Sequence, residues 1–248
     1  MNPSTNVKHC HEKVFQQANH YAVYNSALVT NFDINMLTPQ YWQNQNAIIG
    51  QAQGRGITYF VEHEKQQWVL RHYYRGGLIG KFNHDSYFFT GYNNTRAAKE
   101  YQLLQHLATL NLPAPTPIAY AIVKKNSFYH ADILTSRIEN SQDLVALLTK
   151  GPLSASLWLE IGQCIANFHH HGIYHHDLNA HNILIDDNNK AWLIDFDQGE
   201  QRAKDHRWQQ DNIKRLLRSF NKEKQKLPIF HWQLSDWQLL MEGYLSMG

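Results

Sequence analysis

Asp177, Asn182 and Asp195 are the residues of this chain whose types and spacing could do chemistry. Asp177 begins the run Asp177-Leu178-Asn179-Ala180-His181-Asn182, and Asp195 closes Ala191-Trp192-Leu193-Ile194-Asp195. Two apolar segments, Asn182 to Ile185 and Ala191 to Asp195, flank Asp186-Asp187-Asn188-Asn189-Lys190, and Asn-Asn can supply the positive φ angles of a type I′ turn. A two-residue turn centred on Asn188-Asn189 predicts Asn182 directly opposite Asp195, with Cβ atoms about 5 Å apart on one face. A carboxylate and an amide oxygen so placed are hard ligands. They suit Mg²⁺, which keeps several waters and binds through one or two carboxylates plus substrate phosphates. Asp177 would orient an acceptor hydroxyl or accept its proton, so nucleotide-dependent phosphotransfer is the chemistry this trio suggests.

Such a site needs a phosphate cover and a cation, and both have candidates upstream. GQAQGRGITYFVEH, EKQQ and WVLRHYY read as two β-favouring strands joined by a polar turn, with Gly54-Arg55-Gly56 at the entrance. Those glycines would let backbone amides approach a nucleotide. Arg71, in Trp68-Val69-Leu70-Arg71, carries a permanent charge that can grip phosphate in two places. Glu100 is its candidate partner, on a helix that Asn94 or Thr95 caps and that runs to about Asn111. LPAPTPIAYAIV and FYHADILTSRI predict a proline-rich connection and two more strands, after which SQDLVALL reads as helix.

Beyond Pro152 the pattern is helical. Leu157, Ile161, Ile165 and Phe168 mark one face of a helix that ends at Gly172. Two further amphipathic helices are expected at about 205–220 and 235–246, separated by Lys226-Leu227-Pro228. The Asn- and Gln-rich first fifty residues are assigned little structure. Length and composition agree with a globular protein of one large domain or two small lobes: 248 residues, 43% apolar, seven Trp. Two cysteines in no CxxC give neither a disulfide framework nor a thiolate metal site. The histidines at His9, His11 and His169 to His171 read as helix-end or surface residues, because consecutive helical residues point apart and cannot share one ion. Neither an apolar leader nor a run of about 18 apolar residues is visible. Arg202 to Lys226 holds nine Lys and Arg against three Asp and Glu, a solvated face or a surface for anionic lipid phosphates.

The spelling resembles the protein-kinase-like superfamily. His175-His176-Asp177-Leu178 with Asn182 overlays H-R-D-L-x-x-x-N, and Asp195-Phe196-Asp197 overlays D-F-G with Asp197 in place of glycine. More specifically, Gly54 to Phe60, Leu70-Arg71-His72-Tyr73-Tyr74-Arg75-Gly76-Gly77, Leu112-Pro113-Ala114-Pro115 and Asp177 to Asn182 are similar to the 3-deoxy-D-manno-octulosonic acid (Kdo) kinases of lipopolysaccharide biosynthesis, over about Gly50 to Phe220. The resemblance implies a two-lobed α+β kinase-like fold over 1–248, with a β-rich lobe at 1–138 and a helical lobe at 139–248. ATP and Mg²⁺ would lie in the cleft, with Asp177 catalytic, Asn182 and Asp195 on the metal, and Gly54, Arg55, Gly56, Arg71 and Glu100 on the nucleotide side. It implies γ-phosphate transfer to the 4-hydroxyl of Kdo on a lipid A precursor, at the cytoplasmic face of a bacterial inner membrane, with an anionic membrane surface and no nucleic acid as partner. A heptose or antibiotic hydroxyl as acceptor, and a nucleotide-binding pseudokinase, remain the alternatives.

Overall fold

The computed structural model describes residues 11–54, 56–75 and 85–247. The chain divides into two compact units, Met1–Tyr101 with Pro117–Arg137, and Gln102–Thr116 with Ile138–Gly248.

The first unit is built on an antiparallel sheet. Its elements are β1 (Glu12–Gln17), β2 (His20–Asn25), α1 (Pro39–Asn44), β3 (Ile48–Gln53), β4 (Ile57–His63), β5 (Gln66–His72), β6 (Tyr87–Phe88), the start of α2 (Arg96–Thr109), β7 (Pro117–Lys125) and β8 (Phe128–Ser136). The strand order is β1-β2-β7-β8-β5-β4-β3, with β6 added on β8. The two strands expected between Gly50 and Tyr74 are three. The turn at Glu64-Lys65 has positive φ at both residues, 49° and 67°, the type I′ geometry that matches strand twist, and it sets Thr58 opposite Arg71. The first fifty residues are not structureless either. A hairpin turning at Ala18-Asn19 adds β1 and β2 to the sheet beside β7, and a short helix packs over one sheet face, where Trp42, Trp68, Leu70, Ile118 and Leu134 form the core. The Trp42 indole, fully buried, donates to the Met36 carbonyl at 2.7 Å.

The second unit holds the short strands and most of the helices: β9 (Ser141–Asp143), α3 (Leu144–Lys150), α4 (Ala155–His170), β10 (Ile173–Tyr174), β11 (Ile183–Asp186), β12 (Ala191–Leu193), β13 (Glu200–Gln201), α5 (His206–Lys226) and α6 (Leu234–Leu245). The segment SQDLVALL, expected as one helix, is a strand and then a helix. Asp143 divides them by accepting from the Val145 and Ala146 amides, both at 3.1 Å, as an N-cap. Helix α4 buries the four expected residues, and Gly172 past its end has φ 72°.

Helices α4 and α6 approach through two glycines. A Cβ at Gly162 would stand 2.0 Å from the Leu240 carbonyl oxygen, and one at Gly243 would stand 2.1 Å from that of Leu159. Backbone cannot yield as a side chain can. Gly162→Ala and Gly243→Ala are each expected to cost about 1–3 kcal/mol by forcing the helices apart, measured as a lower urea midpoint at unchanged slope.

Candidate active site

Hairpin β11–β12 carries the first correction. Its register pairs Ile183 with Leu193 and Ile185 with Ala191, one residue short of the pairing centred on Asn188-Asn189. The Asp186 side chain accepts from the Asn188 and Lys190 amides at 2.9 and 3.0 Å, and Asn189 alone in the turn has positive φ, 59°. These bonds favour a three-residue loop with its last residue left-handed. Asn182 and Asp195 are therefore not cross-strand partners; the Ile194 amide donates to the Asn182 carbonyl at 3.0 Å. Convergence arises another way. Asp195 lies past the end of β12 with φ 62°, a conformation costly for a non-glycine residue and concentrated at functional sites. Asp177, Asn182 and Asp195 all line one cavity of about 380 Å³.

The loop that holds Asp177 is fixed by His175, which is 2% exposed. Its Nδ1 accepts from the Asp177 amide at 3.2 Å, and its Nε2 stands 2.9 Å from the Ile194 carbonyl. One ring thus ties the Asp177 loop to the strand end before Asp195, and it does so only as the neutral Nε2–H tautomer. Burial depresses its pKa and keeps it neutral. The Asn182 amide nitrogen donates to the Asp177 carbonyl at 2.9 Å. Among the described residues its Oδ1, the atom a hard cation would use, accepts no hydrogen bond.

Cations face this cavity from α5. The Arg215 guanidinium donates to Asp177 Oδ1 at 3.2 Å, and both side chains are about two-fifths exposed. His181 stands 3.4 Å from Asp143 and 3.5 Å from Glu223. The Asp143 hydrogen bond raises its pKa against the opposing effect of burial, aided by both carboxylate charges. Neither Arg215 nor Glu223 is evident in the signature motif. The available signal is helical periodicity, since Arg215, Arg218 and Lys222 recur on the side of α5 away from buried Ile213, Leu216 and Phe220.

In the first unit, Arg71 and Glu100 do meet. Arg71 Nη2 lies 2.5 and 2.6 Å from the two Glu100 oxygens, and the Tyr73 hydroxyl donates to Oε2 at 2.6 Å. Glu100 is 3% exposed, and Tyr73 is a partner that sequence order does not reveal. A Cβ at Gly56 would stand 2.0 Å from the Tyr74 ring, so a larger residue there would require the Tyr74 side chain to move. The Gly54 amide donates to the Gly56 carbonyl at 2.8 Å, so it is engaged within the turn. Arg55 lies outside the described residues.

Two histidine clusters need separate treatment. His9 lies outside the described residues, and His169 is a core residue with Nδ1 2.7 Å from the Tyr244 hydroxyl and Nε2 3.4 Å from Asn212 Oδ1. His72, Asp85 and His130 do converge, with His72 bonded to Asp132 at 2.7 Å. Burial opposes protonation of His72, but the Asp132 hydrogen bond and the charges of Asp132 and Asp85 outweigh it and raise the pKa. The group is held together by these imidazole–carboxylate contacts, with His72 3.4 Å and His130 3.3 Å from Asp85.

Burial pulls the His169 pKa down to about 4. A depressed folded-state value gives stability that is present above the unfolded pKa of about 6.5 and lost as pH falls through about 4, on the order of 3 kcal/mol. His169→Gln is expected to flatten that part of the stability profile in urea titrations between pH 7 and 4. Equal slopes in the two proteins would remove His169 from the account.

Residues 39–244 match the model of the lipopolysaccharide kinase (Kdo/WaaP) family. The chain belongs to that family. Among its relatives, proteins named 3-deoxy-D-manno-octulosonic acid kinase from Vibrio vulnificus, Haemophilus influenzae and Vibrio cholerae are 47%, 43% and 41% identical to it. These matches cover 90%, 93% and 92% of this chain and 94%, 98% and 96% of the relatives. As a Kdo/WaaP-family member the chain is a kinase with a β-rich N-terminal and a helical C-terminal part. The matched range contains the whole cavity and the Arg71–Glu100 pair. Among the described residues, no helix of this kinase is long and apolar enough to cross a membrane.

Proposed function

We propose that this kinase transfers the γ-phosphate of ATP to the 4-hydroxyl of a Kdo residue on a lipid A precursor during assembly of the lipopolysaccharide core. The observation that carries this reading is the cavity where Asp177, Asn182 and Asp195 meet, in a chain whose relatives bear the name Kdo kinase. The acceptor hydroxyl oxygen attacks the γ-phosphorus, the bond to the β-bridging oxygen breaks, and ADP leaves. Asp177 orients the hydroxyl and takes its proton. Arg215, a positioning residue, fixes the Asp177 carboxylate by contacting one oxygen.

The donor set fits Mg²⁺: the Asp195 carboxylate and the Asn182 Oδ1 are hard oxygens lining one cavity. When bound there, the ion neutralises charge on the phosphates. Arg71, held by Glu100, adds a fixed cation for the nucleotide, and the turn at 54–56 covers it. In this reading the chain is one kinase-like domain, with 1–138 and 139–248 as its lobes.

Its lipid acceptor favours peripheral work at the cytoplasmic face of the inner membrane. The basic segment contributes less free charge than its composition suggests. Arg202 pairs with Glu200, Arg207 with Asp205 and Arg215 with Asp177, while Lys224 donates to the Trp232 carbonyl. The test is mass spectrometry of a Kdo-containing lipid A precursor after incubation with enzyme and ATP. A single added phosphate located on Kdo supports the reading. Phosphate on a heptose or aminoglycoside acceptor instead reassigns the substrate, and nucleotide binding without transfer to any of the three identifies a pseudokinase.

A further inference from the structure

Arg218 and Lys222 line the same cavity as Asp177, yet among the described residues neither makes an ion pair or a hydrogen bond. Among the other cations of α5, Arg215 is engaged by Asp177, Lys224 by the Trp232 carbonyl and Lys226 by Glu223 at 3.6 Å. Two uncommitted cations on one wall of a pocket constitute an anion site awaiting its anion. Glu223, beside Lys222 on α5 and 5% exposed, also lines the cavity, with Oε1 3.5 Å from His181 and Oε2 3.6 Å from Lys226. Two such cations beside the Asp177 carboxylate in about 380 Å³ suit a hydroxylated acid of monosaccharide size.

We propose that Arg218 and Lys222 bind the carboxylate of the acceptor sugar, and that this contact selects a sugar acid over a neutral sugar. The inference rests on the functional reading above and extends it to the group that discriminates the substrate. Geometry supports the assignment. Arg218 follows Arg215 by three residues, about 4.5 Å along the helix axis, so it lies one turn beyond the residue that holds Asp177. In a 2-ulosonic acid pyranose the carboxyl-bearing carbon and the carbon of the 4-hydroxyl are separated by a single ring carbon. A sugar whose hydroxyl meets Asp177 therefore has its carboxylate within a short step of Arg218, and Lys222 lies one further turn along the same helix face.

The experiment crosses enzyme with substrate. Wild type, Arg218→Gln and Lys222→Gln are assayed with two acceptors free of lipid A phosphates, a Kdo glycoside and its C1 carboxamide. Each substitution is expected to raise KM for the carboxylate acceptor roughly 10-fold, the effect of one charge-assisted contact, and to leave KM for ATP unchanged. Wild type should lose a similar factor on the carboxamide, and the substitutions should cost nothing more there. Equal penalties on both acceptors would overturn the carboxylate assignment alone, as would variants that bind the carboxylate acceptor like wild type; the latter would turn attention to an anion these acceptors lack, such as a lipid phosphate. If wild type phosphorylates neither Kdo acceptor nor the Kdo-bearing lipid precursor, the functional reading fails and the subsite falls with it. Far-ultraviolet circular dichroism and nucleotide binding of each variant separate these outcomes from misfolding.

Discussion

Asp177→Asn is expected to lower turnover by about 10²-fold or more while leaving the fold and nucleotide affinity close to wild type. The substitution keeps the shape of the side chain and an oxygen able to accept from Arg215, which donates to Asp177 at 3.2 Å. The backbone contacts of residue 177 with His175 and Asn182 do not involve its side chain, so the loop keeps its anchors. What is lost is the negative charge and the proton-accepting oxygen. Initial rates with saturating ATP and Kdo acceptor, beside a thermal melt of the same preparation, measure the effect. A folded Asp177→Asn enzyme with near wild-type turnover would remove the carboxylate from the chemistry and leave binding and metal charge as the sources of rate. Arg215→Gln provides a graded comparison. Because Arg215 acts through Asp177, it should lower turnover less than Asp177→Asn and should add little in the double variant.

The different fates of the sequence expectations have physical causes. Long periodic helices were legible because burial dictates their pattern. Leu157, Ile161, Ile165 and Phe168 repeat at helical spacing, and all are buried in α4. The Arg71–Glu100 contact was legible from element order, since a cation at the end of a strand and an acid one turn into the following helix had a chemical reason to meet. Register was not legible. Whether Asp186 to Lys190 closes as a two- or three-residue loop depends on side-chain to backbone bonds from Asp186, and one residue of slip reverses the face of every position after it. Asp195 still reaches the cavity because its positive φ re-aims the chain past β12, a local strain that no pattern of apolar residues announces. The N-terminal hairpin was hidden because its Asn- and Gln-rich flanks mask a short apolar signal, Ala22-Val23, which becomes buried only when β2 joins β7. Arg215 reads in sequence as part of a basic, membrane-facing helix for a related reason. A basic run in sequence reads as open surface, whereas the fold brings one residue of it, Arg215, to the Asp177 carboxylate of a distant loop.

The second large effect is expected at Arg71 and Glu100. Glu100 is 3% exposed and accepts from Arg71 at 2.5 and 2.6 Å and from the Tyr73 hydroxyl at 2.6 Å. Removing the cation strands a buried carboxylate, a change that costs about 3–5 kcal/mol in such pairs. Arg71→Met should therefore destabilise the fold as well as lower kcat/KM, and Glu100→Gln, which keeps the shape and removes the charge, should do less to stability. In Arg71→Met/Glu100→Gln the stranded charge is gone, so the double variant should be more stable than the sum of its singles requires, with a coupling of about 1–3 kcal/mol. Stability should recover in the double variant but catalysis should not, because the cation proposed to neutralise nucleotide phosphate is still missing. Arg71→Lys tests the geometry of the contact. An ammonium keeps the charge but loses the planar fork that can hold Glu100 and a phosphate at once, so nucleotide KM should rise while the melting temperature falls only modestly. Additive stability losses, or wild-type nucleotide KM in Arg71→Lys, would mean that Arg71 serves the buried glutamate alone and that the phosphate cation must be sought on another residue.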